Sequence, residues 1–155
     1  MHIPEHREET DFGDLQPLKR RREYLSQKAL YERLGGYDGI TAFVNNLMPR
    51  LKSDPQLGRF WQNRGDHGVA RETQLLIDYL CVNAGGPMYY TGKNMKLLHK
   101  GMTISESDWT KFFGHAGATM QALRVPQKEC DDVVAFVSRL KGDIGPIRGC
   151  ATGVR

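Results

Sequence analysis

Beyond Leu30, apolar side chains recur every three or four positions along most of the chain, the period of one helix face. "KALYERLGG" reads as a short helix closed by Gly35-Gly36. In "YDGITAFVNNLMPRLK", Ile40, Phe43, Val44, Leu47, Met48 and Leu51 fall on one stripe. Pro49 lies inside that stripe and is expected to bend the helix or tighten its end. "SDPQLGRFW" offers Ser53 or Asp54 as an N-cap with Pro55 just inside a helical turn. A loop, "QNRGDHG", then leads to "VARETQLLIDYLCVNA", a helix whose apolar face takes in Leu76, Tyr79, Leu80 and Asn83 before Gly85-Gly86-Pro87 stops it.

"SESD" at 105–108 reads as a capping box with Asp in place of the usual Glu. It opens a helix that buries Trp109, Phe112, Phe113, Ala116, Met120 and Leu123. Pro126 starts a last helix carrying Val133, Val134, Phe136, Val137 and Leu140. No strand alternation or internal repeat appears, so the fold class is all-α, four principal helices with short connectors. Residues 1–28 form a polar, mixed-charge extension, 29–145 the folded domain, and 146–155 a flexible tail.

A chain of 155 residues is most simply one domain, long enough to bury about two-thirds of its unfolded surface. No run approaches the ~18 apolar residues of a membrane span, and "MHIPEHREETDFGDLQPLK" has no apolar core of a secretory signal. The expected compartment is the cytoplasm, with no membrane partner. Cys81, Cys130 and Cys150 form no CxxC pair, so they read as structural thiols rather than a disulfide framework or zinc site. The net charge of +4 owes much to Lys19, Arg20, Arg21 and Arg22. No aromatic interleaving or recognition helix follows that block, and Glu8, Glu9, Asp11 and Asp14 lie close by, so a solvated arm is favoured over nucleic-acid binding. No nucleophile triad or phosphate loop is present, and "GGYDG" is helix punctuation.

His99 is the candidate for chemistry. Met95, Leu98, His99 and Met102 stand at relative positions 0, 3, 4 and 7, which places the imidazole on an apolar face. A hydrogen-bonded core histidine has that placement, and so does a haem ligand, which needs one neutral nitrogen in a dry slot and the other N–H held by a carbonyl. Met95, Leu98 and Met102 would supply soft contact with a macrocycle, and Lys93 could meet a propionate beside the hydroxyls of Tyr89, Tyr90 and Thr91. Phe43, Leu47, Met48, Phe60 and Trp61 could wall in a flat ligand. Periodicity leaves both readings open.

The ordered set "LYERLGG", "SDPQLGRFW", "AGGPMYYTGKNMKLLHKGM" with "IS" after it, and "DWTKFFGHAGATMQAL" resembles the truncated haemoglobins, group I, from about Leu30 to Ile144. Gly85, Gly86, Pro87, Tyr90, Gly92, Met95 and His99 fill its GGPxxYxGxxMxxxH pattern. The resemblance implies a 2-on-2 helical sandwich around haem b, with His99 as the proximal iron ligand and Lys93 directed at a propionate. Met48, Phe60, Trp61, Leu76 and Leu80 would contact the cofactor. Tyr90, Met95, Leu98 and Phe112 would do so as well.

Three positions depart from the pattern. Met48 stands where many group I proteins have a distal tyrosine, and Trp61 where a second phenylalanine is usual. The expected distal glutamine falls on Leu76, with Glu72 a turn earlier and Thr73 and Gln74 the nearest neutral polar residues. His67, in the preceding loop, is expected in solvent, where folding inward would make it a sixth iron ligand; His115 reads as structural, and His2 and His6 carry no role.

By resemblance the protein binds O2, NO or CO reversibly, in NO detoxification or oxygen transport or storage. Any NO dioxygenation would need a separate reductase. The expected state is a monomer or weak dimer. The rival readings are a haem-based sensor or interaction module using residues 1–28, and a haem-free helical domain using Lys19–Arg22 on nucleic acid.

Overall fold

The computed structural model describes residues 18–21 and 28–145. The rest of the expected extension, including Arg22, His2 and His6, and the tail from 146 with Cys150 lie outside the described residues. Among the described residues every regular element is helical. They are α1 (Leu30–Arg33), α2 (Gly36–Ser53), a 3-10 turn (Leu57–Trp61), α3 (Asp66–Asn83), α4 (Met95–Leu98), α5 (Glu106–Ala122) and α6 (Gln127–Ile144). A single helical turn also covers 18–21, with Lys19, Arg20 and Arg21 exposed.

Gly35, between α1 and α2, and Gly36, the first residue of α2, take left-handed conformations, φ +90° and +69°. Pro49 does not end α2, which runs on to Ser53. Burial of Val44, Leu47, Met48 and Leu51 on both sides of the proline outweighs the one hydrogen bond it removes. Asp54, not Ser53, is the residue whose side chain caps the start of the 3-10 segment. Its Oδ1 accepts from the Gln56 and Leu57 amides at 2.8 and 3.0 Å.

α2 packs on α1, α3, α5 and the 3-10 turn, and α6 packs on α1, α4 and α5. The core lies where α2, α3 and α5 meet, around Ile40, Val44, Leu47, Leu51, Ile77 and Cys81. On α3 the fully buried residues are Ile77 and Cys81, with Leu76 and Leu80 half-buried beside them, and Asn83 faces solvent. The expected capping box is present: Asp108 N donates to Ser105 Oγ at 3.1 Å, and Ser105 N donates to Asp108 Oδ2 at 2.8 Å. Arg33 ties α1 to α6 through Glu129 (3.1 Å) and Asp132 (2.6 Å), which raises its guanidinium further. Cys81 and Cys130 are free thiols, and burial pushes both up.

Gly86 anchors the connection to the site segment. Its amide donates to the Cys81 carbonyl at 2.8 Å. A Cβ there would stand 2.7 Å from the Tyr31 ring and 2.8 Å from the same carbonyl, so only glycine fits.

Candidate functional site

A cavity of about 440 Å³ lies between these elements. One wall comes from α2, the 3-10 turn and α3, through Met48, Phe60, Trp61, Leu76 and Leu80. Met95 and His99 from the α4 segment and Phe112 from α5 line it elsewhere, with Met102 and Ile104. α6 adds Val133, Phe136, Val137 and Leu140, which sequence reasoning assigned to the helix and not to the site. The signal was available: α6 carries an apolar stripe yet none of its residues is fully buried, so the stripe faces a cavity instead of a packed core.

Two expected wall contacts, Leu98 and Tyr90, are placed elsewhere. α4 ends at Leu98, so the four-residue stripe does not continue as one helix. Leu98 points outward, 45 % exposed, and Met102 reaches the cavity through a turn in which Gly101 takes φ +83° and Met102 N donates to His99 O. Tyr90 is not on the wall. Its hydroxyl donates to the Lys93 carbonyl at 2.9 Å, closing a tight turn around Gly92, and its ring meets the cavity residue Tyr79 edge-on at 5.1 Å. Burial raises both phenols. Lys93 is exposed, at the surface end where a propionate contact is expected, and outside the apolar wall.

His99 closes α4 at its C-terminal end, half-buried. Its Nδ1 lies 2.8 Å from the Met95 carbonyl. A carbonyl only accepts, so Nδ1 carries a proton, and in the neutral ring Nε2 keeps its lone pair. Asn94 fixes the start of the same turn, its side chain accepting from Lys96 N (2.9 Å) and Leu97 N (3.4 Å). Sequence reasoning passed over Asn94, although an asparagine just ahead of a helical run is an N-cap signal.

On the α2–α3 side, none of the polar candidates lines the cavity. Thr73 donates its hydroxyl to the Val69 carbonyl at 2.8 Å and borders a separate surface recess next to Met48. Gln74 is exposed and bonds Tyr37 Oη and Asp78, both at 2.9 Å. Glu72 pairs with Arg64. His67 is exposed, as expected, but in the first turn of α3 and not in a loop, because the helix begins at Asp66.

The 3-10 turn that bears Phe60 and Trp61 is pinned to α5 at two points. Arg59 makes a two-pronged contact with the buried Asp108 (2.9 and 2.7 Å), and Gln56 adds a bond at 2.6 Å. The guanidinium holds the Asp108 carboxyl far below the usual carboxylate range. His115 bonds Asp54 at 2.7 Å, which with the Leu57 and Gln56 amides lowers Asp54 to about 2. His115 is therefore structural.

An apolar slot walled by helices, with one imidazole presenting a free nitrogen lone pair, suits a haem: soft contact on its faces and one axial donor. The donor set and the lining fit that group. The fold and cavity define a haem-binding globin. The chain belongs to the bacterial-like globin family, whose model matches residues 29–145.

Among curated relatives, it is 27 % identical over 118 residues to a group 1 truncated hemoglobin of Tetrahymena pyriformis, covering 76 % of this chain and 94 % of that one. It is 25 % identical over 116 residues to a group 1 truncated hemoglobin of Mycolicibacterium paratuberculosis, covering 75 % and 83 %. Among solved structures, the Fe(III) form of the Tetrahymena pyriformis protein superposes with a TM-score of 0.70 at 26 % identity, covering 76 % of this chain and 97 % of that one. The 2/2 hemoglobin of a Synechococcus species shares the fold, with a TM-score of 0.68 at 24 % identity over 76 % and 98 % of the two chains. No helix among the described residues is long and apolar enough to cross a membrane.

Proposed function

We propose that this globin holds haem b through His99 Nε2 and binds a diatomic gas, O2, NO or CO, against the α2–α3 wall. The observation that carries the reading is the bond between His99 Nδ1 and the Met95 carbonyl. It orients the ring, fixes the tautomer and makes the remaining nitrogen a better donor. Met95, Met102 and Phe112 line the cavity with apolar side chains. Haem would supply the iron at which the gas is held.

The opposite wall is apolar where it is formed by Met48, Leu76, Leu80, Phe60 and Trp61. A donor hydrogen bond to bound O2 is worth roughly 0.5–1.5 kcal/mol. Without one, this wall favours CO and NO over O2 relative to a polar site. His67 and Glu72 are held away from the cavity by exposure and by Arg64, which supports an open sixth position. Conversion of NO and O2 to nitrate consumes one electron per nitrate. The residues present carry no flavin or nicotinamide motif, so a separate reductase supplies that electron. We place the protein in the cytoplasm, as a monomer or weak dimer.

The test is the absorption spectrum of protein reconstituted with one equivalent of haem, ferric and dithionite-reduced, beside His99→Ala. The wild type should give a sharp Soret band that the variant loses and that added imidazole restores. A Soret band indifferent to the substitution would refute His99 as the ligand.

A further inference from the structure

We propose that the outer face of the His99 segment is a docking surface for an acidic one-electron carrier protein, an inference that rests on the haem reading above. Met95 and His99, four residues apart, both line the cavity. At 100° per residue, Leu97 is then on the opposite side of α4, with Lys96 beside it and Lys100 just past the helix end. The exposures agree. Leu97 is 59 % exposed, and Lys96 and Lys100 stand in solvent.

Charge gives the face its sign. Between Tyr79 and Ser105 there is no Asp or Glu, and the lysines are Lys93, Lys96 and Lys100. None of the three makes an ion pair among the described residues, and all three are exposed. An exposed apolar centre rimmed by unpaired cations is the make-up of a small transient interface, below about 1,200 Å² in total, whose partner is drawn in by opposite charge.

Position gives the face its purpose. The imidazole lies behind this surface at a depth of one helix, about 10 Å. A carrier docked here sits nearer to His99 than one on the far side of α2 or α3 would. An anionic bilayer is the poorer fit, because four helical residues present too short an apolar face to lie in a membrane interface.

The experiment uses the haem-loaded full chain and, as probe, a plant-type [2Fe–2S] ferredoxin with an acidic surface. Amide shifts are followed by NMR at about 20 and about 300 mM salt. They should cluster at residues 89–100 and weaken at the higher salt. In stopped flow the reduced ferredoxin loses one electron and the ferric globin gains it. The second-order rate should fall about tenfold or more in Lys96→Glu/Lys100→Glu. The Soret band and CO association of that variant should match the wild type.

A salt-independent rate, an unaltered rate in the double variant, shifts on another face, or no binding at low salt would each overturn the proposal. So would binding to phosphatidylserine vesicles without binding to ferredoxin. Failure of the haem reading is a separate result, visible in the His99→Ala spectrum with both lysines intact.

Discussion

The two sides of the cavity are held in place by different kinds of bond. On the His99 side the bonds are neutral and local. Asn94 caps Lys96 and Leu97, Tyr90 reaches the Lys93 carbonyl, and His99 reaches the Met95 carbonyl, none spanning more than four residues. On the other side, carboxylates bridge distant parts of the chain. Arg59 and Asp108 are 49 residues apart, Gln56 and Asp108 52, and Asp54 and His115 61. One side is thus built by its own sequence and the other by the closing of the fold. They should fail differently.

The largest expected effect comes from breaking the point where the His99 segment leaves α3. In Gly86→Val the new side chain meets the Tyr31 ring and the Cys81 carbonyl inside 3 Å. That carbonyl is already fixed by the Gly86 amide. Overpacking against a backbone atom that cannot move should cost about 3 kcal/mol, read as a lower denaturant midpoint with an unchanged m-value. A cost under about 1 kcal/mol would mean that the segment adapts and is not anchored there.

Next in size is a change to the far wall. Leu76→Gln places an amide on a helix face that already lines the cavity. A hydrogen bond to bound O2 should slow its dissociation by about 2- to 12-fold while changing CO release little. If O2 release is unchanged, the face of α3 at Leu76 does not look onto the bound gas.

The same contrast explains what could be read in advance. The glycines, Tyr90, Met95 and His99 form a local pattern, and a histidine four residues after Met95 in a helical turn meets its carbonyl by helix geometry alone. Likewise Ser105 and Asp108 make their capping box within four residues. The far wall depends on where α3 starts and which way it is rotated. The glycine in "RGDHG" suggested a loop, but the helix begins at Asp66 and carries Glu72, Thr73 and Gln74 away from the cavity. Leu98 departs for another reason. It lies inside α4, but with Met95 and His99 on the inner face it stands about 80° off their mean direction and is 45 % exposed. The Arg59–Asp108 and Asp54–His115 bridges left no trace in the sequence, since nothing local pairs residues about fifty positions apart.

A smaller effect should come from Asn94→Ala, which removes the cap of α4. The expected loss is about 1 kcal/mol. Its more telling consequence is at His99, where a frayed α4 loosens the bond to Met95 O. The iron–histidine stretching band of the reduced protein should broaden or shift. An unmoved band would show that Met95 and the cavity wall hold the ring without Asn94.

The effect that separates the two sides most directly is set by pH. Asp54 titrates at about 2 in the folded protein, held down first by His115 and then by the Leu57 amide. The ordinary aspartate value is 3.8. A group whose folded value is depressed adds stability above its unfolded value and loses it as pH falls through the folded one. Asp54→Asn should therefore be less stable than the wild type at neutral pH. The difference should begin to shrink below about pH 4 and be lost as pH falls through about 2. The local side has no carboxylate among the bonds described, so Asn94→Ala should keep a constant difference over the same range. Denaturant midpoints of both variants at several pH values make the comparison, and parallel pH profiles for the two would show that the far wall is not held by its carboxylates.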